Sequence, residues 1–376
     1  MPTRRRGHAL PWPIRPRVLS SGVASVSHAE FAIRVTVALL FGSLIGLERQ
    51  WRQRMAGLRT LQIAKRIIRA LQPAGAPSRS DSSMNAIVTT PDRPGGLIRT
   101  ETPVPAANPG HALIRVRATS INRGETRLIG ARPNSWAPGQ DVAGTVETAA
   151  PDGGPPAGTR VVGLADGGAW SELVLVCVDR VAVLPENVDF ERAACLPVAG
   201  LTALRALRAL GDVVGRELLV TGASGGVGNL AVQLARDAGA LVTALARRPL
   251  KIEGIRVATS LDDVMRFDRV IDGVGGDVLR DALGHLRPHA KVVFYGGGER
   301  APLGLDVLRG SPATIEALFV YQAPGRFDED LATLVRFVSS GRLQPLVDRT
   351  VSIDRVDDAL AALQAGGIAG KIVLTR

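Results

Sequence analysis

Four glycines stand within eight residues in Thr221 to Gly228, "TGASGGVG", directly after the apolar run "ELLV" and directly before "NLAVQLARDAGA". Glu217 to Val220 reads as a short buried strand. Leu230, Val232, Leu234 and Ala235 set an apolar stripe on the helix that follows. Strand, glycine turn and helix in that order form the context in which a turn can cradle a pyrophosphate. Written as Ala223-x-Gly225-x-x-Gly228, the turn lacks only the first glycine of G-x-G-x-x-G. Ala223, Ser224 and Gly225 keep the bend tight and let backbone approach an anion. Gly226, Val227 and Gly228 open the helix, where free N–H groups meet negative charge and Gly228 allows close packing on the strand. The alternative is a strand-to-helix corner of purely structural use.

Past the helix, "GALVTALA" (Gly239 to Ala246) is a second apolar strand where the second strand of a βαβ unit belongs. A carboxylate at its end would hold the ribose hydroxyls of NAD. Here the strand runs into Arg247 and Arg248, with Lys251 just beyond. Guanidiniums suit a 2′-phosphate through charge-assisted hydrogen bonds, so the unit is expected to bind NADPH. A solvated basic loop is the competing explanation. Two further strands, "DRVIDGVGG" with Val274 and "KVVFYGGG" with Tyr295 and Gly296, end in glycines, as strands lining the crevice of an open α/β sheet should.

The elements that must position these groups follow from the rest of the chain. Its 376 residues suffice for two ordinary domains, and 45% hydrophobic content excludes a disordered protein. The net charge of +11 suggests a nucleic-acid partner until it is located. Residues 1–83 hold 14 Lys and Arg against 3 Asp and Glu, whereas residues 84–376 hold 32 of each. The body is neutral and carries no basic stripe to follow phosphates, and the whole chain has only 4% aromatics, so no nucleic acid is expected. Two cysteines, Cys177 and Cys195, provide neither a zinc cluster nor a disulfide framework and suit a reducing cytoplasm.

Residues 1–83 read as a basic extension and linker. Phe31 to Leu47 is apolar except for Arg34, Thr36 and Ser43, and falls short of the about 20 residues a spanning helix needs. Membrane contact is expected only if this stretch works as an anchor. From Met84 the pattern changes to short strands with Gly/Pro punctuation ("NAIVTT", "HALIRVRATSIN", "DVAGTVET", "TRVVGLA", "AWSELVLV", "RVAVLP"), which suggests a β-rich, barrel-like head. A helix from about Phe190 leads into the βα repeats. After Val320 come helix "DEDLATLVRFVSSG", strand "DRTVSI", helix "VDDALAALQAGG" and strand "GKIVLTR".

"PGQDVAGTV", "GTRVVGL", "GAWSELVLV", "AACLPVAGLTAL", "GASGGVG" and the closing "GKIVL" occur in the order seen in the medium-chain dehydrogenase/reductase superfamily, and the chain from Met84 to Arg376 resembles its zinc-free quinone oxidoreductase branch, related to zeta-crystallin. The resemblance implies an α/β protein with a GroES-like catalytic domain (84–199), a Rossmann domain (200–320) and a return to the catalytic domain (321–376). Residues 29–60, with "VALLFGSLIGLERQWRQRMAGLRT", resemble a fragment of the MgtC/SapB membrane family, whose later transmembrane helices are missing. The positions matching the zinc ligands of the superfamily hold Asn122, Gln140 and Ala199, and Gly124 stands where a proton-relay hydroxyl would be. No metal is therefore expected.

Such a site suits acceptors that are already electron-poor, quinones or conjugated enones, whose developing oxyanion needs only nearby donors. Asn122 is the leading donor, with Arg123 and Arg127 behind it. Asn122 could equally stabilise its own loop, and either arginine could pair with Glu125. Thr202 and Lys371 resemble cofactor contacts of the family, and Tyr295 is either a packing residue or a nicotinamide contact. The partners implied are a small electron-poor acceptor and a second copy of the chain. An enoyl-thioester reductase and a low-turnover NADPH-binding sensor or structural protein share the same fold.

Overall fold

The computed structural model describes residues 82–376, apart from 91, 93–95, 133–134, 248–249, 251, 263–264, 297–311 and 324. The apolar stretch 31–47, the MgtC/SapB-like stretch, Arg248 and Lys251 lie outside the described residues. Asp81–Arg376 is one compact unit. Among the described residues no helix is long and apolar enough to cross a membrane.

The chain begins with strands β1 (Ser83–Thr89) and β2 (Leu97–Pro103), an antiparallel pair. Then come β3 (His111–Ser120), the helix Arg123–Ala131, β4 (Asp141–Thr148), β5 (Arg160–Leu164), β6 (Leu173–Cys177) and β7 (Val181–Val183). A short helix Phe190–Ala193, one π-helical turn Leu196–Gly200 and the helix Leu201–Leu210 carry the chain out of the head. The next part alternates β8 (Glu217–Thr221), the helix Gly226–Asp237, β9 (Leu241–Leu245), β10 (Arg256–Ala258), β11 (Phe267–Asp272), the helix Gly276–Gly284, β12 (Leu286–Phe294) and β13 (Ala313–Ala317). The helix Phe327–Ser339, β14 (Val347–Ser352), the helix Val356–Ala365 and β15 (Lys371–Thr375) complete it.

Two larger sheets result. One has seven strands, ordered β14-β15-β3-β4-β5-β7 with β6 also on β3, so the C-terminal strands rejoin the head. The other has six parallel strands ordered β10-β9-β8-β11-β12-β13. In the second sheet the order reverses between β8 and β11, because the chain leaves β8 toward β9 and later returns on β8's other side. A crevice opens there, beyond the carboxyl ends of the two strands. The β8 residues are almost wholly buried, and in the following helix every residue from Gly228 to Ala235 is buried. One apolar core runs from the head (Ala143, Val162, Leu164) into the parallel sheet (Val220, Leu230, Ile271, Val293).

Strands β2, β10 and β13 are absent from the sequence expectations. Their largely exposed or half-buried residues give little apolar alternation to read.

The turn after β8 needs its glycines for two reasons. Gly222 sits at φ 60°, and a Cβ on Gly228 would lie 2.3 Å from the Gly222 carbonyl oxygen. The helix start is thus packed directly on the strand end, with backbone on both sides of the gap. Gly228→Ala is expected to lower stability by about 1–3 kcal/mol, read as a fall in the denaturant midpoint. An unchanged midpoint would show that the turn can open without cost.

Candidate functional site

The crevice between β8 and β11 is floored by a buried side-chain pair. The Thr221 hydroxyl donates to Asp272, whose other carboxylate oxygen accepts from the Gly275 N–H at 2.8 Å. The Thr221 oxygen itself accepts from the Gly273 N–H at 3.1 Å. Gly273 and Gly296 stand back to back: a Cβ on Gly296 would come within 2.4 Å of the Gly273 oxygen. Tyr295 closes the group, its hydroxyl lying over the Gly273 Cα, where a Cβ would be only 2.1 Å away. Burial, then the Asp272 charge, pushes the Tyr295 phenol up from its ordinary value.

The glycine turn forms the opposite wall. Gly225 donates to the Gly222 carbonyl at 2.9 Å and precedes the helix Gly226–Asp237 without any side-chain cap. First-turn N–H groups have no partner inside a helix, so those of Gly226, Val227 and Gly228 are left for an anion. Val274, 42% exposed, borders the turn at Gly222. The Ala223 N–H binds the Leu245 carbonyl at 3.2 Å, which holds the turn against the end of β9, where exposed Arg247 follows. On the other side Gly370 donates to the Ser224 carbonyl at 2.7 Å, and the Lys371 stem fills the space a Cβ on Gly226 would take. The structure therefore gathers Ala223 to Gly228, Arg247, Val274, Tyr295, Gly296 and Lys371 around one crevice.

Lys371 leads from the turn to a second, wholly buried cluster in the head. Its ammonium donates to Asn122 Oδ1 and lies 3.3 Å from Asp141 Oδ2. Asn122 Nδ2 donates to the same Asp141 oxygen at 2.8 Å, and the Ser120 hydroxyl also reaches it. Asp141 Oδ1 accepts the Val198 N–H of the π-helical turn at 2.8 Å. Thr202 is buried nearby and donates back to the Val198 carbonyl at 2.6 Å, leaving its oxygen as an acceptor only. Asn122 is thereby fixed by its amide, with one N–H uncommitted.

Arg123 and Arg127 are exposed on the helix that starts after Asn122, and neither pairs with Glu125. That pairing, open on sequence grounds, is replaced by a different arrangement. Glu125 is fully buried and accepts the Asn122 N–H and the Gln140 N–H, each at 2.8 Å. It clamps the two loops that flank the site. Tyr321, half-buried, follows β13, and burial, then the charges of Asp141 and Glu125, push its phenol up from its ordinary value.

Known proteins are similar to this chain in sequence and in fold. A sequence model of the family described as zinc-binding dehydrogenase matches residues 255–374. The 2-methylene-furan-3-one reductase of Solanum lycopersicum is 30% identical over 303 residues, covering 72% of this chain and 73% of that protein. The chain belongs to the medium-chain dehydrogenase/reductase superfamily. The pikromycin polyketide synthase component PikAII of Streptomyces venezuelae is 32% identical over 318 residues, 79% of this chain, and the chain spans 8% of that synthase's length. The quinone oxidoreductase structure from Coxiella burnetii superposes with a TM-score of 0.71 at 26% identity, covering 78% of this chain and all of that one.

The zinc in the family description does not fit these residues. Zn²⁺ takes thiolate, imidazole or carboxylate donors. Asn122 and Gln140 offer neutral amides, and Ala199 offers a methyl group. The adjacent Asp141 carboxylate is already saturated, and the Lys371 ammonium supplies the positive charge beside it. Among the described residues no group of three His, Cys, Asp or Glu could hold an ion.

Burial, then the Asp141 charge, raises the Glu125 carboxyl from 4.5 to about 8, against the opposing pull of the two N–H bonds and Lys371. The native state thus keeps a proton that the unfolded chain releases near 4.5, and stability should fall as pH rises from about 4.5 to about 8, then level off. Thermal unfolding across this window is expected to show a shallower fall for Glu125→Gln than for the parent. Equal slopes would mean that native Glu125 is ionised throughout.

Proposed function

We propose that the chain reduces quinones or conjugated enones with NADPH and without zinc. The observation that carries this reading is the substrate end of the crevice, where the amides of Asn122 and Gln140 stand in place of a metal-binding set. Bound NADPH would supply hydride to the acceptor. The protein's part is to hold both reactants, exclude water and offer donors to the oxygen on which charge develops.

The N–H groups of Gly226, Val227 and Gly228 would hold the pyrophosphate, with Ser224, Thr202 and Lys371 lining its path. Arg247, Arg248 and Lys251 would neutralise the 2′-phosphate. Val274, Tyr295 and Gly296 would flank the nicotinamide end. Asn122 keeps one N–H for the acceptor, while exposed Arg123 and Arg127 are left for its outer part. Without a Lewis acid the acceptor must itself be electron-poor. The names of the relatives agree: one reduces a 2-methylene-furan-3-one, an unsaturated ketone, and another is a quinone oxidoreductase. The match to a polyketide synthase favours a second reading, reduction of an enoyl thioester, and comparing enoyl-CoA with a quinone as acceptor separates the two.

Two outcomes are expected. Purified protein should oxidise NADPH with a quinone or enone at a rate that exhaustive chelation leaves unchanged; stoichiometric zinc lost together with activity would overturn the metal-free reading. Replacing both Arg247 and Arg248 with alanine should raise KM for NADPH by roughly tenfold to a hundredfold. KM for NADH and the turnover number should barely move, because the contact is remote from hydride transfer. A parent that prefers NADH would refute the assignment of these arginines.

A further inference from the structure

We propose that Lys371 is a positioning residue for the acceptor: its ammonium aims and strengthens the free N–H of Asn122 rather than reaching for the phosphates of the dinucleotide. The inference rests on the reductase reading above and deepens it at the Asn122 end of the crevice.

The root of Lys371 is fastened beside the glycine turn. Gly370 donates to the Ser224 carbonyl at 2.7 Å and faces Gly225 in an isolated parallel bridge. The Lys371 N–H donates to the Leu346 carbonyl at 2.9 Å, and a Cβ on Gly370 would lie 2.0 Å from that same oxygen, so only glycine allows the approach. The segment that carries Leu346 is held by the helix behind the turn. There Gln233 accepts the Gln344 N–H at 2.8 Å and donates to the Gln344 carbonyl at 2.9 Å. The Lys371 stem lies along Gly226, at the start of that helix. Root and stem therefore belong to the wall of the turn.

The ammonium is committed elsewhere. Lys371 is only 6% exposed, and its Nζ donates to Asn122 Oδ1 and lies 3.3 Å from Asp141 Oδ2. Asn122 is thus gripped at its carbonyl by Lys371 and at one N–H by Asp141, the latter at 2.8 Å. A primary amide is planar, so two such contacts set its plane, and the direction of the remaining N–H follows. Charge adds strength to direction. An ammonium on the amide oxygen draws electron density from the nitrogen, and hydrogen bonds in such a chain polarise one another, so the free N–H becomes a better donor to an anion. A donor fixed in this way needs no rearrangement when charge develops on the acceptor.

Asp141 keeps the ammonium in place. The Ser120 hydroxyl and the Val198 N–H hold the carboxylate from two other sides, so it cannot follow Lys371 toward a ligand. Drawing the ammonium to a phosphate would leave a buried carboxylate without its counter-ion, a larger loss than one charge-assisted hydrogen bond returns. The family resemblance makes Lys371 a cofactor contact. In this structure only its stem touches the turn, while its charge serves Asn122.

The test is a cycle of variants read by binding, with turnover beside it. NADP+ is titrated onto the full chain by calorimetry. Para-nitrophenol, whose phenolate mimics the oxyanion, is then titrated onto the chain saturated with NADP+ and followed by its visible absorbance. Lys371→Met is expected to weaken phenolate binding and to lower turnover with a quinone by about tenfold to a hundredfold, with the Kd for NADP+ within about threefold of the parent's. Because that substitution leaves the Asp141 charge unpaired, the charge-balanced pair Lys371→Met with Asp141→Asn is measured as well. It should show the same losses at a thermal midpoint near the parent's. In an Asn122→Ala background Lys371→Met should have no further effect on phenolate binding, since Lys371 acts through Asn122. Phenolate affinity unmoved by both Lys371 variants, NADP+ affinity lowered about tenfold or more, additive losses in the cycle, or a parent that binds no phenolate each overturns the inference. A parent that reduces neither a quinone nor an enone refutes the reductase reading instead, and the phenolate cycle then still decides what Lys371 positions.

Discussion

The carboxylate of Asp141 is where the molecule's parts meet. It lies at the start of β4, fully buried, and binds Ser120 at the end of β3, Asn122 ahead of the first helix, Val198 in the π-helical turn and Lys371 at the start of the last strand. These partners come from the head, from the passage into the dinucleotide sheet and from the C-terminal return. A buried charge with so many partners cannot lose one cheaply, since each removal leaves charge or dipole without compensation in a low dielectric. The geometry of the crevice follows. Lys371 is drawn inward by Asp141, its stem lies along Gly226, and its neighbour Gly370 is bonded to Ser224 of the phosphate-type turn.

The same junction sets the chemistry available. In this superfamily a metal can occupy such a place, and a cation is present here too, but as an ammonium hydrogen-bonded to an amide and a carboxylate. Lys371 can orient Asn122, yet it has no open coordination position with which to polarise a substrate. Burial holds Glu125 largely protonated near neutral pH, so the floor carries one balanced pair rather than excess negative charge. Such a floor offers hydrogen-bond donors rather than Lewis acidity.

The dinucleotide half could be read from order along the chain because its signals are local. Strand, glycine turn and helix within a few residues leave little freedom, and Gly228 can be only glycine where the Gly222 carbonyl approaches so closely. The head could be read as strands, and the tail's helices and strands stand where their periodicity places them. The parts that escaped were those without local pattern. β2, β10 and β13 are largely exposed or half-buried, and the boundary between the helix at Phe190 and that at Leu201 is broken by the π-helical turn around Pro197.

By itself the sequence determined the fold class, the crevice, the residues around the glycine turn and the non-metal character of positions 122, 140 and 199, since each depends on residue type and near-neighbour spacing. Only the tertiary structure decided what the buried charges do. Glu125 has arginines two residues away on each side, yet it turns inward to two backbone N–H groups, because burying the helix face outweighs a solvated ion pair. Asp141 and Lys371 are 230 positions apart, and Gly370 meets Ser224 from the far end of the chain. Contacts of that range are set by how sheets close and where the chain returns, and no periodicity along the sequence records them.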